Sequence, residues 1–222
     1  MAIAHVVSTA QGASGAGNFT TSAINTTGAN LIVVALCVYH PGTGLALSDS
    51  ASNTWTGLTQ QGTGDTRVRL FYCFNPTISA THTFTASGSN IYATVGVSAF
   101  SGAKAFDQES AGFASATNDV TAQPGSLTPP VDHCLLVTGL SIIPGTSITV
   151  NSSFNASVVN YLASNHAGGG IAYKIQTTAG AENPTWSWTT AGDRASAMAS
   201  FSPKGVGHRV IGGGCGRVIG GG

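Results

Sequence analysis

Arg67-Val68-Arg69-Leu70-Phe71-Tyr72 is the stretch on which the fold class turns. Polar and apolar residues alternate at its start, so an extended chain would wet one face and bury the other, the period of a half-buried β-strand. Working outward, runs rich in Val, Ile, Thr, Tyr and Phe recur at 3–9, 30–39, 54–58, 81–86, 91–101, 134–142, 154–162, 170–177, 185–189 and 195–202. Gly, Asn, Ser and Pro separate them, and each supplies a turn for its own conformational reason. Helical periodicity is not convincing anywhere. The expected fold is all-β, a jelly-roll-like antiparallel β-sandwich.

The body reads as duplicated. Leu31-Ile32-Val33-Val34 is echoed by Cys134-Leu135-Leu136-Val137, and Leu70-Phe71-Tyr72 by Ile171-Ala172-Tyr173. Thr83-Phe84-Thr85 is echoed by Thr185-Trp186-Ser187, and Ala99-Phe100-Ser101 by Ser200-Phe201-Ser202. The expected organisation is a body over 1–204 with pseudo-repeats at 18–103 and 117–204, followed by a Gly-rich arm over 205–222. Two packings fit: halves that share one core in one jelly roll, or two small sandwiches in tandem. The lack of a long polar linker favours the first.

Charged residues are only 7% of the 222 residues, and the formal net charge is zero. A soluble domain usually carries roughly 25% charged residues. Such a surface offers no basic patch for nucleic acid and little colloidal repulsion, and it suits packing against copies or a partner. The longest apolar run, 31–39, is too short to span a bilayer, and the N-terminus lacks the pattern of a signal peptide. Synthesis in a cytoplasm is the expectation. Cys37, Cys73 and Cys134 fall inside apolar strands and read as small buried hydrophobes.

Leu47-Ser48-Asp49-Ser50-Ala51-Ser52-Asn53-Thr54-Trp55-Thr56 is the most distinctive motif of the body. Asp49 and Asn53 can each bond nearby backbone and hold a tight turn, with Trp55 starting a strand. The other reading is a calcium loop, for which one carboxylate is few. No metal or other cofactor is expected.

The order of segments resembles a known group. An apolar strand is followed by Ser48-Asp49-Ser50-Ala51-Ser52-Asn53-Thr54-Trp55-Thr56, then Arg69-Leu70-Phe71-Tyr72-Cys73-Phe74-Asn75-Pro76, then Thr81-His82-Thr83-Phe84-Thr85, then a strand ending Ala99-Phe100-Ser101-Gly102. This is similar to β-sandwich modules of phage virion proteins and of some large bacterial surface or secreted proteins. It covers 30–102, with a fainter match over 130–204. The resemblance implies a structural or adhesive module with no catalytic residues to carry over. The short chain with its arm looks most like capsid cement (decoration) proteins, which sit on the head exterior, often as trimers, and bridge capsomers.

Trp186-Ser187-Trp188 puts two indoles on one strand face. Exposed, they would be a glycan platform; buried, they are core. His5, His40, His82, His133, His166 and His208 are scattered, and among the carboxylates only Asp107 and Glu109 are close, in a loop-like stretch. No nucleophile elbow or phosphate loop appears, so the expected chain is not an enzyme.

The arm repeats Arg-Val-Ile-Gly-Gly-Gly at 209–214 and 217–222. Arg-Val-Ile can add a strand to a neighbour's sheet edge. Val210, Ile211, Val218 and Ile219 would be anchors, and Arg209 and Arg217 would pair with acidic groups. The alternative is a low-complexity extension. The expected function is a non-enzymatic virion protein, a capsid cement protein that binds the major capsid protein or another virion component, self-associates as a homotrimer and binds neither nucleic acid nor membrane. The runner-up is a tail-fibre or receptor- or carbohydrate-binding module.

Overall fold

A computed structural model describes residues 2–13, 17–39, 46–62, 66–88, 92–110, 113–143, 146–151, 153–159 and 168–205, without the side chains of 113–118. The anchors Arg209, Val210, Ile211, Arg217, Val218 and Ile219 lie outside the described residues. The described chain is all-β and antiparallel.

The first half contains β1 (Ala4–Gly12), β2 (Phe19–Thr20), β3 (Leu31–Tyr39), β4 (Ala46–Asp49), β5 (Thr56–Gly57), β6 (Thr66–Phe74), β7 (Phe84–Ser87) and β8 (Tyr92–Ser101). One sheet runs β1-β8-β3-β6-β5 and a small facing sheet runs β2-β7-β4. This winding, 1-8-3-6 over 2-7-4, is that of a jelly roll.

The second half repeats it with fewer breaks. It contains β9 (Ala103–Glu109), β10 (Phe113–Ala122), β11 (Leu135–Ile143), β12 (Thr149–Val150), β13 (Asn155–Val159), β14 (Gly168–Ile175) and β15 (Trp186–Pro203). β11 lies between β14 and β15, as β3 lies between β6 and β8. The long β15 takes the places of both β7 and β8: its first residues pair with β12 and the end of β10, its later ones with β11 and β9. The isolated bridge Ile24–His82 in the first half is matched by Leu127–Glu182 in the second.

Strand register corrects one of the four sequence echoes. Leu31 lies opposite Phe100 and Phe74, and Leu135 lies opposite Phe201 and Ile175. Leu31 therefore corresponds to Leu135, one residue beyond Cys134. β3 and β11 are apolar on both faces, so nothing alternates along them to mark the register, and a slip of one residue exchanges the faces. β9 and β10 also replace the loop expected around Asp107 and Glu109. Their Ala, Ser, Thr and Asp residues give little strand signal, and pairing to β15 decides the matter.

Three apolar layers result. The middle one joins Leu31, Val33, Val68 and Leu70 of the first half to Leu135, Val137, Ile171 and Phe201 of the second. The outer two lie one in each half: between the large and small sheets of the first, where Phe84 packs with Ile32, Val34 and Leu36, and within the single continuous sheet of the second, where Trp186 packs with Leu136, Leu140 and Met198. The halves thus share a core, and each also has its own. Close approach at the shared layer needs glycine. A Cβ on Gly96 would lie 2.9 Å from Ile171, and one on Gly139 would lie 3.0 Å from Ala35.

Candidate functional site

The Asp49 turn forms as the sequence implies and is more heavily engaged than expected. Its Oδ1 accepts from the backbone N–H of Ala51 and of Asn53, both at 3.0 Å. Its Oδ2 accepts from Asn53 Nδ2 at 2.9 Å and from the indole N–H of Trp55 at 3.1 Å. His82 Nε2 stands 3.5 Å from the same oxygen, with both side chains sealed from solvent. On its other side, His82 Nδ1 is 2.9 Å from Thr26 Oγ1, and Asn53 reaches the backbone of Thr77 through both ends of its amide. Three loops are stapled together at one end of the first half.

Burial on its own would raise the Asp49 pKa. Hydrogen bonds from Asn53 and Ala51, with the neighbouring His82, outweigh it and hold the carboxyl below its ordinary value. With every donor direction filled by protein, Asp49 has no oxygen free for calcium. Among the described residues no group of three His, Cys, Asp or Glu is placed to hold a metal.

Trp186 and Trp188 are 0% and 5% exposed, so they are core and offer no glycan platform. The two-residue period did put both on one face, and that face is the inner one. Trp186 also donates to Thr138 Oγ1 at 3.1 Å. Five other described carboxylates likewise serve the fold. Asp107 accepts from Ser200 and Gln108, Glu109 from Thr59, Asp132 from the Ala179 N–H, and Glu182 from Lys174, while Asp119 pairs with Arg194.

A second constellation, with no local motif to announce it, lies at the seam between the halves. His5 on β1 stacks on Tyr173 of β14, with centroids 4.6 Å apart and planes 11° from parallel, and Phe100 meets Tyr173 edge-on at 5.1 Å. Across the molecule the same trio recurs. Phe106 on β9 stacks on Tyr72 of β6 at 5.5 Å and 4°, and Phe201 meets Tyr72 edge-on at 5.5 Å. Only the internal symmetry exposes this match, because His5 and Phe106 share no local motif. Beside His5 lies an open groove of about 390 Å³. Burial lowers the His5 pKa, against an opposing hydrogen bond with the Val7 backbone. Its Nε2 is 2.7 Å from Ser8 Oγ, which is in turn 2.8 Å from Ser98 Oγ.

Fold and sites together define a tandem antiparallel β-sandwich welded through a shared apolar layer. No family model matches the chain, and neither a curated protein nor a solved structure matches it. Among the described residues no helix is long and apolar enough to cross a membrane.

Proposed function

We propose that the chain is a non-enzymatic structural protein of a virion, a capsid cement protein of a phage. It is made in the host cytoplasm, sits on the capsid exterior as a homotrimer, and binds the major capsid protein or another virion component through the arm at 205–222. The observation that carries this reading is the consumption of polar chemistry by the fold. Asp49, Asp107, Glu109, Asp119, Asp132 and Glu182 all hold protein donors, as befits a scaffold. The zero formal net charge and the tandem body joined through a shared apolar layer support it. Cement works by mass action: a protein that binds only the assembled shell raises the free energy of dismantling it.

Co-sedimentation with heads that lack the protein tests the proposal. The full chain should bind saturably. A chain ending before Gly205, and a full-length Val210→Asp/Val218→Asp variant, should not. Equal binding by both altered forms would remove the arm from the mechanism. No binding by the full chain would remove the cement role.

A further inference from the structure

We infer that the groove beside His5 and Tyr173 binds a neutral saccharide ring. The two aromatic seams differ in what covers them. On one side, Phe106 and Phe74 pack around Tyr72 and Phe201 as apolar cover. On the other, the register puts His5 where Phe106 stands and Ile175 where Phe74 stands. A purely structural seam is satisfied by the first solution. The second gives up apolar cover, exposes His5 and opens the groove.

The groove's chemistry selects the ligand. His5 lies face-on over Tyr173 and is itself exposed, so the outer face of its ring is a flat aromatic surface, on which the C–H face of a pyranose packs. Ser153, Asn155 and Thr177 line the same groove and make no side-chain hydrogen bond to the described residues. Two hydroxyls and an amide each both donate and accept, as do sugar hydroxyls. Lys174, also at the groove, is held 2.6 Å from Glu182 Oε1, so its charge is already matched and an anion gains little there. An aromatic floor, a rim of neutral hydroxyl and amide groups and a lysine already paired with Glu182 fit an uncharged polyhydroxylated ring. The openness of the site limits affinity to the millimolar order, about 4 kcal/mol.

Saturation-transfer difference NMR of the full chain with galactose, N-acetylglucosamine and maltotriose tests this. At least one sugar should receive saturation at its ring C–H protons, in a saturable manner, and shift the His5 imidazole signals. His5→Ala and Asn155→Ala should each weaken binding about tenfold. Asn155 is exposed on the edge strand, so its variant keeps the fold. Phe106→Ala, at the opposite seam, should leave binding unchanged. No saturable binding of any of the three sugars, or binding that survives both groove variants, would overturn the inference. The site does not rest on the capsid reading: sugar binding without attachment to heads would sink that reading and leave this one.

Discussion

The Cys37 thiol donates to the Leu140 carbonyl at 2.9 Å, across the seam between the two halves. Cys37 is fully buried in the shared layer, and burial pushes its pKa up to about 12. The thiolate is the reactive species, so this group is inert while the halves remain packed. Iodoacetamide at mildly alkaline pH should leave Cys37 unmodified in native protein and label it in denaturant, read by peptide mass spectrometry. Native labelling at Cys37 would mean that the seam opens readily.

Glycine sets the distance between the halves. Gly96→Val should lower stability by about 1–3 kcal/mol, because the new side chain must displace Ile171 or the backbone behind it. Gly180→Ala meets nothing within 4 Å and should stay within about 0.5 kcal/mol of wild type. Urea midpoints of the two variants decide the point.

Removal of the Asp49 carboxylate orphans the Trp55 indole and two backbone N–H groups together, and leaves the Asn53 amide held by Thr77 alone. Asp49→Ala should cost about 3 kcal/mol. The folded pKa lies below the ordinary 3.8, so this stabilisation is complete above that value and is lost as pH falls through the lower folded value. Chemical denaturation at pH 6 and at pH 2 should show the gap between wild type and Asp49→Asn shrinking in acid.

His5 has the same sign by a different cause. Its folded pKa lies below the ordinary 6.5, so the unfolded chain takes up the proton first as pH falls. His5→Gln should flatten that part of the stability profile which declines below about pH 6.5. A profile identical to wild type would place the imidazole in water.

The strand positions of 67–75 and the turn at Asp49 were legible because each rests on local chemistry: alternation in one case, side-chain-to-backbone bonding in the other. The duplication was legible too, through aromatic landmarks such as Phe100 and Phe201. The strands over 103–122 were not, since small polar residues pair with β15 only because β15 offers an edge. Trp186 and Trp188 had a readable face but no readable destination, and burial supplied it.

Local chemistry makes this an all-β chain built twice from one pattern, because extended periodicity and turn chemistry act over a few residues. Long-range packing makes Leu31 answer to Leu135, brings the halves together through Gly96 and Gly139, and sets His5 and Phe106 in twin places at opposite seams. Those relations join residues about a hundred positions apart along a chain whose central strands are apolar on both faces. There the register is set by packing alone.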